Sequence, residues 1–319
     1  MNLDYLVRRL LQIVPLLLGI SILGFSLMYL APGGPTAIYA MNPSVTAADL
    51  ERIKEAWGLN DPLHVQYLRW AGNMVSGDFG TSFRGGAEVR GLIGERVAAT
   101  VELMGTAYVI AIVFGLAIGT LSALRQYSIF DYLATTGSLV TLSIPTFWFG
   151  LMVIFIFAER LGWIPSGGIR SLGSDGGGFL DRLHHLVAPA LVLGLVLTAQ
   201  WARYFRSSLL DVKDQEYVRT AHAKGLGGGT VLRTHVMRNA ILPMIALAGV
   251  QLPIVFSGAL VTESVFGWAG MGRLFLDAMT HRDYPVLMAM LMITAFLVVL
   301  GNLFADIALG LVDPRIRAG

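Results

Sequence analysis

The sequence has no cysteine among its 319 residues. It therefore carries no disulfide framework, no thiol nucleophile and no cysteine-ligated metal. Charge is scarce as well: Asp, Glu, Lys and Arg make up 14% of the chain, against about 25% in soluble domains. The net charge of +2 supplies no basic field for a nucleic acid, so none is expected as a partner. Catalytic signatures are missing too. Gly227-Gly228-Gly229 lacks the Lys-Ser/Thr of a phosphate-binding loop, and neither H-E-x-x-H nor G-x-S-x-G occurs. His184 and His185 are adjacent and would face different sides of a helix, while His222 and His235 stand far apart across the glycine run. No catalytic residue, metal site or cofactor is expected on this chain.

What is present is apolar. Hydrophobic residues make up 55% of the chain, and the mean hydropathy is +0.66. Six runs are long enough to cross a bilayer core: Leu10–Leu30, Thr100–Leu124, Phe130–Phe157, Leu186–Trp201, Met244–Val265 and Pro285–Leu309. The first spans roughly 30 Å at about 1.5 Å per residue. It is too long for a signal-peptide core and no convincing cleavage site follows, so it reads as a retained span. Arg8, Arg9, Arg125, the basic loop after the fourth run, Arg315 and Arg317 all fall on one side, which predicts both termini in the cytoplasm. The expected fold class is an all-α integral membrane protein. Residues 1–30 form the cytoplasmic N-terminus and first span, 31–98 an external helical cap, and 99–319 a five-helix core with a cytoplasmic loop at 207–243.

The cap has its own local signals. Thr46 predicts a helix start with Asp49 in the capping-box position, running through Trp57 to a stop at Gly58. Asp61-Pro62 predicts a second start, with Pro at the first helical position and an end near Gly77. Leu63, Tyr67, Trp70, Ala71 and Met74 share one face of that helix, a stripe that needs a surface to pack on. Glu159–His185 and Phe266–Asp283 read as external loops; the first should be irregular between Pro165 and Gly178. In the third run, Pro145 followed by Phe147, Trp148 and Phe149 either bends the helix to line a cavity or forms an aromatic packing cluster.

Ionisable and amide groups in apolar surroundings are costly, which makes Glu102, Glu263, Asn302 and Asp306 candidates. Structural roles are the favoured expectation: Glu102 lies near a helix N-terminus, where a carboxylate suits the dipole, and Asp306 is within reach of the interface. No span repeats charge along a stripe, so neither a proton relay nor an ion filter is indicated.

The longest polar interruption of the second half is Asp211–Pro243. Asp214 is expected to cap a short helix of about ten residues, roughly 15 Å long. Gly225 should end it in the left-handed conformation, with Leu226 as the hydrophobic contact. Gly227-Gly228-Gly229 reads as a hinge, and Thr230 as the cap of the next helix. Tyr217, Ala221 and Lys224 share one face, and Val218, Ala221 and Gly225 a neighbouring one. The residues alone leave two readings open: a helix shaped to dock on a partner, or a solvated basic loop that fixes topology.

The run Glu216-Tyr217-Val218-Arg219-Thr220-Ala221, followed by Ala223-Lys224-Gly225-Leu226, resembles the EAA loop of ABC importer permeases of the oligopeptide/dipeptide/nickel branch. So do Leu59-Asn60-Asp61-Pro62-Leu63, Gly77-Asp78-Phe79-Gly80, Val261-Thr262-Glu263-Ser264-Val265-Phe266, Gly270-Met271-Gly272-Arg273-Leu274, Arg282-Asp283-Tyr284-Pro285 and Asp313-Pro314-Arg315-Ile316-Arg317. These motifs run from the cap to the last residues. Against the general EAA pattern, Arg219 and Thr220 replace Glu and Ala, as they do in the peptide branch. His222 stands where that branch commonly has Arg, and Ile241-Leu242-Pro243 lies further downstream than usual.

The resemblance implies six transmembrane helices of the type I importer kind in the inner membrane of a prokaryote. It implies a second homologous permease subunit, two ATP-binding subunits that hold ATP and Mg, and an extracytoplasmic substrate-binding protein. The cargo would be an oligopeptide or dipeptide, with nickel or glutathione as alternatives within the branch. It makes Glu216, Tyr217, Val218, Arg219, Thr220, Ala221, Ala223, Lys224 and Gly225 the contact with the ATPase. The rivals are an ATP-independent secondary transporter, which would need an inverted repeat or paired midplane charges, and a membrane-embedded enzyme, which would need a convergent catalytic cluster.

Overall fold

The computed structural model describes residues 3–31, 34–36, 39, 44–171, 173 and 177–312, and among these the chain is helical, with one isolated antiparallel bridge, Thr81–Glu88. The side chains of Arg8, Arg9 and Asp306, and the segment 313–317, lie outside the described residues. Among the described residues, four helices are long and apolar enough to cross a membrane: α1 (Leu3–Leu30), α4 (Val89–Leu124), α7 (Phe179–Lys213) and α13 (Tyr284–Val312). A bent pair, α5 (Ile129–Ser143) and α6 (Thr146–Val153), with α6 continuing as a π-helix over Ile154–Arg160, is also apolar and long enough when taken together.

The third apolar run is thus not one continuous rod. Ile144 adopts an extended conformation ahead of Pro145, as a residue before proline prefers, and the two halves meet at 98°. The bend leaves an open groove of about 550 Å³ lined by Thr136, Val140, Ser143, Pro145, Phe147 and Trp148. The bend forms, and the aromatics divide: Phe147 and Trp148 are exposed beside the groove, whereas Phe149 packs against Ala188, Val192 and Phe266. The fifth run differs as well. It divides into α10 (Leu242–Ser257) and α11 (Leu260–Val265), separated at Gly258, whose φ of +87° only glycine adopts cheaply.

The cap contains α2 (Ala47–Ala56) and α3 (Leu63–Ser76). The Thr46/Asp49 capping box forms, and the bonds from Thr46 hold the exposed Asp49 carboxyl below the ordinary carboxylate range. Gly77 ends α3 at φ +82°. Pro62, rather than Asp61, takes the cap position of α3, because the Asp61 carboxylate turns to Arg69 at 2.7 Å. Tyr67 and Trp70 pack on the outer part of α1 through Phe25, and the Tyr67 hydroxyl shares a 2.8 Å bond with Ser21. Leu63 stays exposed, so the predicted stripe is shorter by one turn.

The second crossing begins eleven residues before the expected Thr100, at Val89. Val89 and Ile93 are buried against Met271, Ala278 and Val286, a contact beyond the reach of local pattern. Met271 and Ala278 belong to α12 (Met271–Thr280), an amphipathic helix inside what read as a plain external loop. Its signal was the i, i+3, i+4, i+7 spacing of Met271, Leu274, Phe275 and Ala278.

At the centre α4 and α7 lie against each other almost backbone to backbone. A Cβ on Gly115 would stand 2.6 Å from Trp201 Cβ, and one on Gly119 would stand 2.8 Å from the Ala202 carbonyl. These two glycines form a G-x-x-x-G pair of the kind that lets membrane helices approach closely. Gly194 does the same from the α7 side, against Ile110.

Candidate functional site

The basic loop folds into α8 (Glu216–Ala223), an eight-residue helix reached from α7 across only Asp214 and Gln215. Because α7 runs on to Lys213, Asp214 ends that helix instead of capping the next; the extended residue before α8 is Gln215, which makes no side-chain cap. The far end forms as expected. Gly225 sits at φ +77°, its N–H donates to the His222 carbonyl at 2.9 Å, and the Leu226 N–H donates to the Ala221 carbonyl at 3.3 Å, the paired bonds of a Schellman end.

The three glycines after it are not a hinge. Gly227 is an extended cap whose carbonyl accepts from Thr230 and Val231, and α9 (Gly228–Val231) starts there. The helix continues as a π-stretch, Leu232–Met237, and a last turn, Arg238–Ala240, up to α10. Thr230 lies inside α9 because the backbone of Gly227 already fills the capping role.

Two of the nine expected contact residues face inward. Val218 is 2% exposed and Ala221 5%, both in a cluster with Phe205 and Leu209 of α7 and with Val231, Val236 and Ala240. Ser208 adds a bond to the Ala240 carbonyl at 2.8 Å. Glu216, Tyr217, Arg219, Thr220, Ala223, Lys224 and Gly225 face outward, with Tyr217 42% exposed. Arg219 pairs with Glu216 at 3.0 Å in the open; such a pair contributes only a few tenths of a kcal/mol. One face of α8 is therefore anchored on α7, and the other offers an aromatic ring, a carboxylate and cations.

Close to α8, Arg206 of α7 makes a two-pronged bond to Asp131 of α5. Its Nε donates to Oδ1 at 2.6 Å and its NH2 to Oδ2 at 2.7 Å. The Tyr127 N–H gives Oδ2 a further bond at 3.0 Å. Sequence reasoning missed this pair. Asp131, three residues after a Ser N-cap at the head of an apolar run, was the available signal, but nothing local names its partner.

At the cap end of the molecule, the polar candidates have structural partners. Glu102 accepts a two-pronged bond from Arg182, with Nε at 2.9 Å and 2.7 Å from its two oxygens and NH2 also bonded to Oε2. Glu263 is fully buried. It accepts from the Thr100 hydroxyl at 2.9 Å and the Arg273 N–H at 3.0 Å, with a longer bond from the Ala259 N–H at 3.3 Å. Gly258, Gly270 and Gly272 wrap it so closely that a Cβ on Gly270 would stand 2.5 Å from the carboxylate. Asp283, also buried, accepts from the Ser82 hydroxyl and from the Phe83 N–H at 3.1 Å, tying the cap to the start of α13. Asn302 lies half-buried beside α1. The His184 and His185 rings each bond a separate backbone carbonyl, of Trp163 and of Asp181.

Comparison with known proteins extends over nearly the whole chain. The family described as binding-protein-dependent transport system inner membrane component matches residues 115–318, and the N-terminal membrane component of such systems matches residues 2–104. The chain is 48% identical over 314 residues to the oligopeptide transport system permease protein AppB of Bacillus subtilis, covering 98% of this chain and 99% of that one. It is 38% identical over 334 residues to the dipeptide transport system permease protein DppB of Alkalihalophilus pseudofirmus, with 99% of each covered. Among solved structures, the inward-facing MetNI methionine ABC transporter aligns with a TM-score of 0.52 and 16% identity, over 70% of this chain and 96% of that one; at this identity the likeness concerns the fold alone.

Proposed function

The chain belongs to the family of binding-protein-dependent transport system inner membrane components, and on that premise we propose that it is a translocation subunit of an ATP-driven peptide importer. The cargo class follows the names of the relatives, which are oligopeptide and dipeptide permeases. In this reading the cap faces outward, α8 and both termini face the cytoplasm, and α10 with α11 completes a sixth crossing. The partners are a second related permease subunit, two ATP-binding subunits that bind ATP and Mg, and an extracytoplasmic binding protein. Glu216, Tyr217, Arg219, Thr220, Ala223, Lys224 and Gly225 meet the ATPase, while Val218 and Ala221 hold the helix to the span behind it.

The observation that supports this most directly is the division of α8 into an anchored face and a free one. A push on the outward residues presses Val218 and Ala221 against Phe205 and Leu209. α7 is 35 residues, about 52 Å long, so it carries the displacement across the membrane. Gly115 and Gly119 bring α4 along with it. The bent α5–α6 pair and the Gly258 break supply the irregular backbone that alternating access uses where it lines a cavity.

Purification from native membranes tests the reading. The chain should bring down an ATPase carrying Walker motifs, and proteoliposomes of the assembled complex should accumulate labelled peptide only with ATP. Uptake by this subunit alone, with no nucleotide, would overturn it.

A further inference from the structure

We infer that the Asp131–Arg206 pair is a positioning contact that passes motion of α8 to the broken third span; this rests on the function proposed above. Arg206 lies on the same turns of α7 as Phe205 and Leu209, the buried floor on which Val218 and Ala221 sit. Its guanidinium grips Asp131 in the first turn of α5 with two nearly equal bonds. Asp131 is 3% exposed and the Arg206 side chain 26%, so the carboxylate end of the bond is shielded. A planar fork on a carboxylate fixes both distance and orientation, whereas apolar side chains can slide past each other.

The turn leading into α5 is shaped around the same carboxylate. Tyr127 sits at φ +63°, a conformation unfavourable for a residue with a Cβ, and its N–H donates to Asp131 there. Ser128 caps α5 by accepting from the Asp131 N–H at 3.3 Å. Beyond this anchor α5 shows mostly outward apolar side chains, among them Tyr132, Leu133, Leu139 and Val140, and its remaining packing on α7 is by small side chains such as the buried Ser138. The other end of α5 is the 98° bend and its groove. A displacement of the α8 end of α7 is therefore handed to the head of α5 at Asp131 with a fixed distance and direction, which the apolar contacts of α5 and α6 with α7 do not impose. Gly119 keeps α4 against the Arg206 backbone at the same level, so α4, α7 and the head of α5 move as one body.

The test uses the complete complex in proteoliposomes: both permease subunits, the ATPase subunits and the binding protein. It reads ATP hydrolysis together with uptake of a radiolabelled pool of mixed-sequence tripeptides. Asp131→Asn should assemble and hydrolyse ATP within about twofold of wild type, while peptide moved per ATP falls about tenfold or more, the scale of an ordinary inter-site coupling energy. Arg206→Lys, which keeps the charge and loses the fork, should fall between the two. The reversed pair, Asp131→Arg with Arg206→Asp, should regain coupling that neither single reversal has. Peptide per ATP within twofold of wild type for Asp131→Asn would overturn the inference. So would failure of both Asp131→Asn and Arg206→Lys to assemble, since the pair would then only hold the fold. A wild-type complex that moves no peptide with ATP would instead sink the proposed function.

Discussion

The two ends of the α4–α7 pair are fastened by different chemistry. At the cap end, buried or half-buried carboxylates collect hydrogen bonds from several elements: Glu263 from Thr100 and Arg273, Asp283 from Ser82 and Phe83, Glu102 from Arg182. Glycines let the backbones close around Glu263. At the α8 end the join is an apolar cluster with the forked Asp131–Arg206 pair beside it, under a surface of exposed polar side chains. Hydrogen-bond networks of the first kind have one geometry and fail when it is lost. An apolar floor transmits compression and tolerates small shifts, which suits the role proposed for α8 as a contact that engages and releases an ATPase. The contrast separates a part that defines the fold from a part that works on it.

The contrast can be broken most forcefully at Glu263. Glu263→Ala leaves the Thr100 hydroxyl and the Arg273 N–H without their partner and should cost about 3 kcal/mol. Thermal melting of the purified chain in detergent should drop by several degrees; an unchanged melt would show that the network does not hold the cap end. Gly270→Ala pushes a Cβ to 2.4 Å from the Thr100 hydroxyl and should destabilise by about 1–3 kcal/mol through overpacking.

Gly225→Val should act differently. No atom lies within 4 Å of the added Cβ, so the penalty is backbone strain alone, about 1–2 kcal/mol at the end of α8. Expression and melting should stay near wild type while uptake and ATPase stimulation fall, with Gly225→Asn milder. Wild-type coupling in Gly225→Val would mean that the Schellman end of α8 has no part in transmission.

Arg219→Ala removes an exposed pair and should change stability by less than about 0.5 kcal/mol, while weakening co-purification with the ATPase. Equal yield of the complex would remove Arg219 from the contact. The smallest effect belongs to the cap. Asp49 has its folded pKa lowered by Thr46, so its contribution is complete above the ordinary carboxylate range and fades as pH falls through the lowered value. Amides at the start of α2 should exchange with less protection at about pH 3 than at about pH 6, relative to those of α3.

Much of this was legible in the sequence. The capping box at Thr46, the helix end at Gly77 and the left-handed end at Gly225 emerge where expected, because each depends on contacts within one or two helical turns; of the six apolar runs, the third is broken at Ile144 and the fifth at Gly258. The Asp61 and Asp214 caps failed because a nearby element claimed them: Arg69 takes the Asp61 carboxylate, and the last turn of α7 absorbs Asp214. α12 was overlooked although its spacing was present, since Phe266–Asp283 is too short to cross a membrane and read as loop between two apolar runs. In the candidate site, the helix and its glycine end were readable; the division of the nine residues that the resemblance singles out into two inward and seven outward was not, because both 3.6-residue faces of α8 contain Ala221 and only the position of Phe205 and Leu209 decides between them.

The sequence by itself determined an apolar, cysteine-free, charge-poor helical chain, the ends of its surface helix, and the motifs that relate it to its family, since all of these are written in short-range order. Tertiary structure alone decided that Glu263 meets Thr100, that Arg206 grips Asp131, that the third run folds back at 98° and that α4 extends into the cap. Those partners are dozens to more than a hundred residues apart, and a carboxylate in an apolar run states only that it needs donors. Which donors arrive depends on how closely the glycines of α4, α7 and α12 allow the helices to approach.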